Sequence, residues 1–350
     1  MRIITRIIAL LFLALVVFLL WPSPLDSVSW SPKPIPPLTG SFEKNNKLDA
    51  MERIYEGLCI GCEDVAIDST GVIYGSALNG EIVRFVGDHR SVFANTNGRP
   101  LGLDFDSEGN LIVADADKGL LSIDSNGEIT VLATGHGNKP FKFTDDVEVG
   151  SDGIFYFSDA SSKWTYHDNI RDLVEHGGHG RLLTYDPRDR QVRMLMEGLQ
   201  FANGIAVAED ASFVLVNETG QSRVTKYWLE GPRAGEHEWI IPNLPGYPDG
   251  VSRGENGIFW LTLVSPRDEL AEKSMPYAWV RNQVFKLPRA LVEPKPKRYG
   301  MVLGFDDNGN IHYNLQSENP KLFMITSVQQ AGSNLYLGSL VDSAIGRMEL

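Results

Sequence analysis

The stretch 145–161, DDVEVGSDGIFYFSDAS, decides the fold. It opens on a short alternating strand, turns at SDG, and runs into a second strand rich in aromatic residues. That is a hairpin signature. The same unit recurs outward from it in both directions. It reads EDVAID-STG-VIYGS from Glu63, LGLDFD-SEGN-LIVAD from Leu101, NGIAVA-EDA-SFVLVNE from Asn203, DGVSRG-ENG-IFWLTL from Asp249 and TSVQQA-GSN-LYLGSL from Thr326. The six openings are 38, 44, 58, 46 and 77 residues apart. Blade-type repeats recur at about 40–50 residues, so the two long intervals read as blades carrying insertions.

A third strand is expected after each unit: EIVRFV (81–86), GLLSID (119–124), RLLTYD (181–186), RVTKYWL (223–229), QVFKL (283–287) and IGRMEL (345–350). These features predict an all-β chain folded as a six-bladed β-propeller. A parallel α/β fold would need a crossover helix between strands. The helical patterns here are short, around Asn169–His176 and Asp268–Val280. IGRMEL and the segment before Glu63 are expected to close the ring by sharing a blade.

Equivalent strand openings in such a ring converge on its axis. At four of the six openings the first residue is a carboxylate or carboxamide: Glu63, Asp145, Asn203 and Asp249. An all-oxygen cluster is costly to bury without a cation, and it suits Ca²⁺, which takes 6–8 oxygen ligands. Zinc and softer metals favour His or Cys, and no opening offers either. The expected site is therefore one divalent cation in the central channel, held by Glu63, Asp145, Asn203 and Asp249. The chemistry it implies is hydrolysis of a lactone or of an aryl or carboxylic ester. The metal would polarise the carbonyl, and Asp249 would activate water. Two plainer readings stand beside this one. Asp, Asn and Gly at strand starts are ordinary turn formers, and an ion in the channel can be a structural plug in a non-catalytic binding propeller.

The chain has 350 residues, 43% of them hydrophobic, with 34 Gly and 19 Pro, as suits a turn-rich β domain. Its net charge of −13 argues against nucleic acid as a partner. Arg2 and Arg6 precede an uninterrupted apolar run, Ile7–Trp21. The run matches a membrane anchor or a signal peptide. With no small-x-small cleavage site after Trp21, residues 1–21 are read as a retained single-pass anchor. The arginines then stay cytoplasmic and the propeller lies on the far side, in a periplasm, lumen or cell exterior. Residues 22–50 are proline-rich and read as a stiff linker lifting the propeller, residues 51–350, off the membrane.

Cys59 and Cys62 form a lone C-x-x-C, open to three readings: a redox pair, a tight disulfide, or packing residues in the loop before the first strand. His176 and His179, in EHGGHG, are candidates for a pocket lining or a second metal site, though the glycine context favours a mobile surface loop. Trp164 and Tyr166 are candidates for a substrate entrance or for rim packing. The insertion 265–282 reads as a lid, a membrane-facing patch or a capping loop. Asp115 and Asp117 read as turn residues beside the channel, and Asn217-Glu218-Thr219 is a glycosylation sequon.

Several stretches are distinctive together: GRPLGLDFDSEGNLIVADADKGLL (98–121), FTDDVEVGSDGIFYFSDASSKW (143–164), GRLLTYDP (180–187), FANGIAVAEDASFVLVNETGQSRVTKYWLEG (201–231) and LPGYPDGVS (244–252). They resemble the superfamily of gluconolactonases, paraoxonases and strictosidine synthase-like proteins, and most closely the branch with the adipocyte plasma membrane-associated proteins. The resemblance spans Glu63 to the C-terminus. It implies a six-bladed propeller with one divalent ion, usually calcium, and carries the ligand role onto Glu63, Asn203 and Asp249. Asp145 stands where many relatives have Asn. Paraoxonases place a histidine after the proline of the second opening, where this chain has Leu101. A carboxylate base is therefore expected in place of a histidine. No glutamate matches the one strictosidine synthase proper uses, so carbon–nitrogen bond formation is disfavoured.

Overall fold

The computed structural model describes residues 2–292, 295 and 297–350; Met1 of the N-terminal segment lies outside them. The described strands form six four-stranded antiparallel sheets and one two-stranded ribbon. The innermost strands of blades 1 to 6 are Val65–Ile67, Pro100–Phe105, Thr144–Val149, Ala202–Val207, Gly246–Arg253 and Ile325–Ala331. The ring closes as the repeat predicts: Glu52–Ile54, from before blade 1, pairs with Ile345–Glu349 as the outer strand of blade 6. Arg53 reinforces that seam through Asp342 at 2.7 Å.

Six apolar cores lie between pairs of neighbouring blades, which explains why the strands are hydrophobic on both faces. Tyr74 and Ile82 of blade 1 meet Leu103 and Val113 of blade 2. Ala206 and Phe213 of blade 4 meet Val251 and Phe259 of blade 5. Trp260 and Val302 of blade 5 meet Val328 and Leu337 of blade 6. Each fully buried large side chain contributes roughly 1.5–3 kcal/mol to holding the ring. Cys59 and Cys62 are joined in a disulfide and also pack in the core between blades 6 and 1, against Val65, Phe85 and Ile345.

The long intervals hold the predicted insertions. Blade 3 carries α2 (Asn169–Glu175), and blade 5 carries α3 (Glu269–Ser274) and α4 (Ala278–Val284). One expected strand is absent: QVFKL belongs to the end of α4 and the turn after it, and the third strand of blade 5 is Gly300–Phe305. A five-residue segment with three apolar residues fits either period, and here tertiary context selected helix.

α1 (Arg2–Leu20) has no buried residue and is long and apolar enough to cross a membrane. The proline-rich segment after it does not stand free as a spacer. It is strapped along the propeller. The Val28 amide donates to the Glu175 carbonyl at 2.8 Å, and Trp30 stacks flat on His176 at 4.0 Å between ring centroids. Arg267 donates to the Lys33 carbonyl at 2.7 Å, and Asn243 to that of Pro34 at 2.9 Å. Proline fixes an extended backbone, but extended backbone still needs hydrogen-bond partners, and the blade loops supply them.

Candidate metal centre in the central channel

The geometry of the site starts from a repeated irregularity. In blades 2 to 6 the register of the innermost strand slips at its first residues: between Pro100 and Leu103, Thr144 and Val147, Ala202 and Ile205, Pro248 and Val251, and Ile325 and Val328. A bulge sets two residues against one and re-aims their side chains. The bulged pairs begin at the openings read from the sequence. After the opening residue, three blades use glycine. A Cβ on Gly204 would collide with the Asp249 carbonyl and the Val251 amide, and one on Gly250 with the Thr326 carbonyl. These glycines are therefore points of blade-to-blade contact.

Glu63, Asp145 and Asn203 line a channel cavity of about 100 Å³, and Asp249 sits beside its lining residue Gly250. The three acids sense one another. Burial, then Asp249 and Asp145, hold the Glu63 carboxyl well above the usual carboxylate range. Burial, then Asp249 and Asp146, do the same to Asp145. Burial pushes Asp249 up to about 7, opposed by a hydrogen bond from Asn203. Asn203 also donates to Thr219 Oγ1 at 3.2 Å, and that hydroxyl donates to the Pro248 carbonyl at 2.7 Å, so blades 4 and 5 fix the amide together.

The donor chemistry fits a hard cation. Among the described residues none of the three acids forms an ion pair, and Asp145 Oδ2 is buried with no hydrogen-bond partner. The arrangement is not a closed cage, because among the described residues no three His, Cys, Asp or Glu side chains are gathered as a metal-binding group. The acids lie within electrostatic reach of one another without being in ligating contact. Arg253 lines the same cavity and pairs with Glu148 at 3.6 Å, and Arg99, whose charge both Glu63 and Asp145 feel, is tied up elsewhere. Arg99 donates to the carbonyls of Gly61, Ser76 and Pro100 and lies over the Tyr166 ring at 5.5 Å.

A second tier of acids follows a rule that reading the openings alone misses. Asp64, one residue past its opening, accepts from the Leu103 amide of the next blade at 2.8 Å, and Asp146 accepts likewise from Ile205 at 2.7 Å. Asp104, three past its opening, accepts from Val149 at 2.7 Å, and Glu148 from Val207 at 3.0 Å. Innermost strands are sheet edges with unpaired amides, and these carboxylates satisfy them across the blade gap. Burial raises all four carboxyls, Asp104 to about 6. The signal was present in the sequence as acids at fixed offsets from the openings.

Asp115 proves to be a clamp. It is fully buried and accepts from the amides of Arg99, Asp117 and Lys118, fixing the loop that leads into blade 2. Asp159 holds Lys142 and Phe143 ahead of blade 3 in the same way. Trp164, Tyr166, His176 and His179 do not line the channel cavity. Trp164 packs under Lys163 and Arg171, and Tyr166 packs edge-on against Phe143. His176 and His179 are not on a free loop. His176 is 3% exposed, and His179 bonds Glu175 at 2.8 Å. The strap covering this end of the ring, which local sequence cannot show, is what covers His176, through Trp30.

Two family profiles match the chain: strictosidine synthase over residues 145–232, and strictosidine synthase-like, N-terminal, over residues 40–85. Strictosidine synthase-like protein 4 of Arabidopsis thaliana is 37% identical over 336 residues, covering 93% of this chain and 88% of that protein. The adipocyte plasma membrane-associated protein of Homo sapiens is 30% identical over 360 residues, covering 95% and 85%. A solved gluconolactonase from Xanthomonas campestris has a TM-score of 0.62 at 16% identity, covering 95% of this chain and 99% of its own. A calcium-binding regucalcin from Agrobacterium tumefaciens has a TM-score of 0.61 at 15% identity, covering 85% and 92%. The solved structures share the ring architecture, and the relatives share sequence across nearly all of it: the chain belongs to the strictosidine synthase-like family.

Proposed function

We propose that the protein is a membrane-tethered hydrolase of lactones or of aryl or carboxylic esters, dependent on a divalent cation, most suitably Ca²⁺. The observation that carries this reading is the burial of Glu63, Asp145 and Asn203 around one channel cavity with Asp249 beside it, no cationic side chain among the described residues being paired to them and one Asp145 oxygen being unpartnered. Those four residues would hold the ion. When bound, it supplies electrophilic polarisation of a carbonyl oxygen. Asp249 takes the proton from the attacking water. Asn203, fixed through Thr219, keeps the Asp249 carboxylate oriented. The ring is shared with a gluconolactonase and with a calcium-binding protein, which is compatible with this chemistry. α1 anchors the chain with Arg2 and Arg6 on the cytoplasmic side and the propeller opposite.

The test uses the full chain in lipid nanodiscs against panels of lactones and phenyl esters, with calcium or with chelator, for the native protein and Asp249→Asn. Turnover that needs calcium and falls by orders of magnitude in the variant is the expected result. Absence of turnover across both panels, with calcium still raising the melting temperature, would replace the enzyme with a binding propeller that uses the ion structurally.

A further inference from the structure

The surface that leaves α4 is apolar, aromatic and basic, and it is tied to the end of α1. Lys286 donates to the Phe18 and Leu19 carbonyls at 3.0 and 3.1 Å, and its ammonium lies over the Phe18 ring at 5.4 Å. These are last-turn carbonyls, which a helix leaves without internal partners. The 19 residues of α1 span about 28 Å, close to the hydrocarbon thickness of a bilayer, roughly 30 Å. If α1 crosses, its end lies at the polar boundary and Lys286 is held there. α4 has seven residues and is about 10 Å long, so its whole length stays near that boundary.

The exposed residues on this stretch match that position. Tyr277 is 63% exposed, Trp279 62% and Leu291 74%, with Val280, Val284 and Leu287 also exposed. Trp21, just past α1, is exposed as well. Tryptophan and tyrosine concentrate at the headgroup level, where an apolar ring has a wet edge. Charge agrees too. Residues 286–298 hold Lys286, Arg289, Lys295, Lys297 and Arg298 against one acid, in a chain whose net charge is −13. A local basic cluster beside a span is attracted to anionic lipid.

We infer that the cap formed by α4 and residues 285–292 seats in the headgroup layer of the bilayer that α1 crosses, with Tyr277, Trp279 and Leu291 inserted and the neighbouring basic side chains on anionic lipid. The capped end of the propeller then faces the membrane, and the hairpin turns at the other end of the innermost strands face water. This inference rests on α1 being a retained span.

Nitroxide labels at Tyr277→Cys, Trp279→Cys and, as a control in the blade 2 hairpin turn, Glu108→Cys test it in the full chain. Cys59 and Cys62 are bonded to each other and do not compete for label. The labelled proteins are reconstituted in vesicles with and without phosphatidylglycerol. Oxygen accessibility several-fold above that to a water-soluble nickel chelate is expected at 277 and 279, stronger with the anionic lipid, while 108 shows the reverse. Nickel accessibility at 279 equal to that at 108, in protein that resists carbonate extraction, overturns the seating and leaves the span intact. Loss of the protein on extraction removes both. Dipolar broadening between 279 labels assigns the patch to a second copy of the chain and overturns a lipid surface.

Discussion

Acid is expected to loosen the strap over the capped end, and His176 is the residue that senses it. Burial, then the nearby charges of Arg281 and Arg223, push His176 down to about 3. Its ring is stacked on Trp30, and Nε2 faces the Gln221 amide at 3.1 Å. The unfolded chain takes up a proton near pH 6.5, while the folded chain refuses it until about 3. Stability contributed by the neutral ring is therefore intact above 6.5 and is lost progressively as pH falls. Between 6.5 and 5 the loss is about 2 kcal/mol at 1.36 kcal/mol per unit. For a folded unit of this size that lowers the melting temperature by about 3 °C. Other groups titrate in the same window. Asp172, raised to about 6 chiefly by burial, moves the other way, and Glu175, lowered to about 2, responds only at stronger acid. The comparison that isolates His176 is His176→Phe, which keeps the stack and cannot protonate. Melting curves at pH 7 and pH 5 in excess calcium, with proteolysis of residues 22–40 as a local probe, should show the native protein losing about 2 kcal/mol more than the variant. An equal loss in both would refute the reasoning.

Asp145→Asn should weaken calcium affinity at least tenfold, read from the calcium dependence of melting; an unchanged affinity removes Asp145 from the ligand set. Arg281→Met should release the strap, because Arg281 donates to the carbonyls of Val28, Val174 and Met275. The expected loss is roughly 3 kcal/mol for stranded buried carbonyls, with faster cleavage in residues 26–36. Gly204→Ala should force blades 4 and 5 apart at about 2–3 kcal/mol and blunt the stabilisation by calcium, since the added methyl meets the backbone of Asp249 itself.

What was legible in the sequence and what was not follow from the range over which each signal acts. Strand alternation, hairpin turns and the spacing of openings are local, so the six blades, the closure at IGRMEL and the convergence of Glu63, Asp145 and Asn203 could be read directly. The ring turns a local offset into a shared address, and every equivalent position inherits it. Asp64, Asp104, Asp146 and Glu148 obey that logic as fully as the first residues do, but their partners are amides on the next blade, 39 to 59 residues away. A single unit read alone gives no reason for an acid there. Gly204 and Gly250 resemble turn formers for the same reason, since the atoms that exclude a side chain belong to another blade. The strap is the extreme case. Its prolines dictate an extended backbone, and nothing near Val28 or Trp30 in sequence points to Glu175, His176 or Arg281. Those contacts bury a histidine beside two arginines, and they make the covered end of this propeller depend on residues its repeat does not contain.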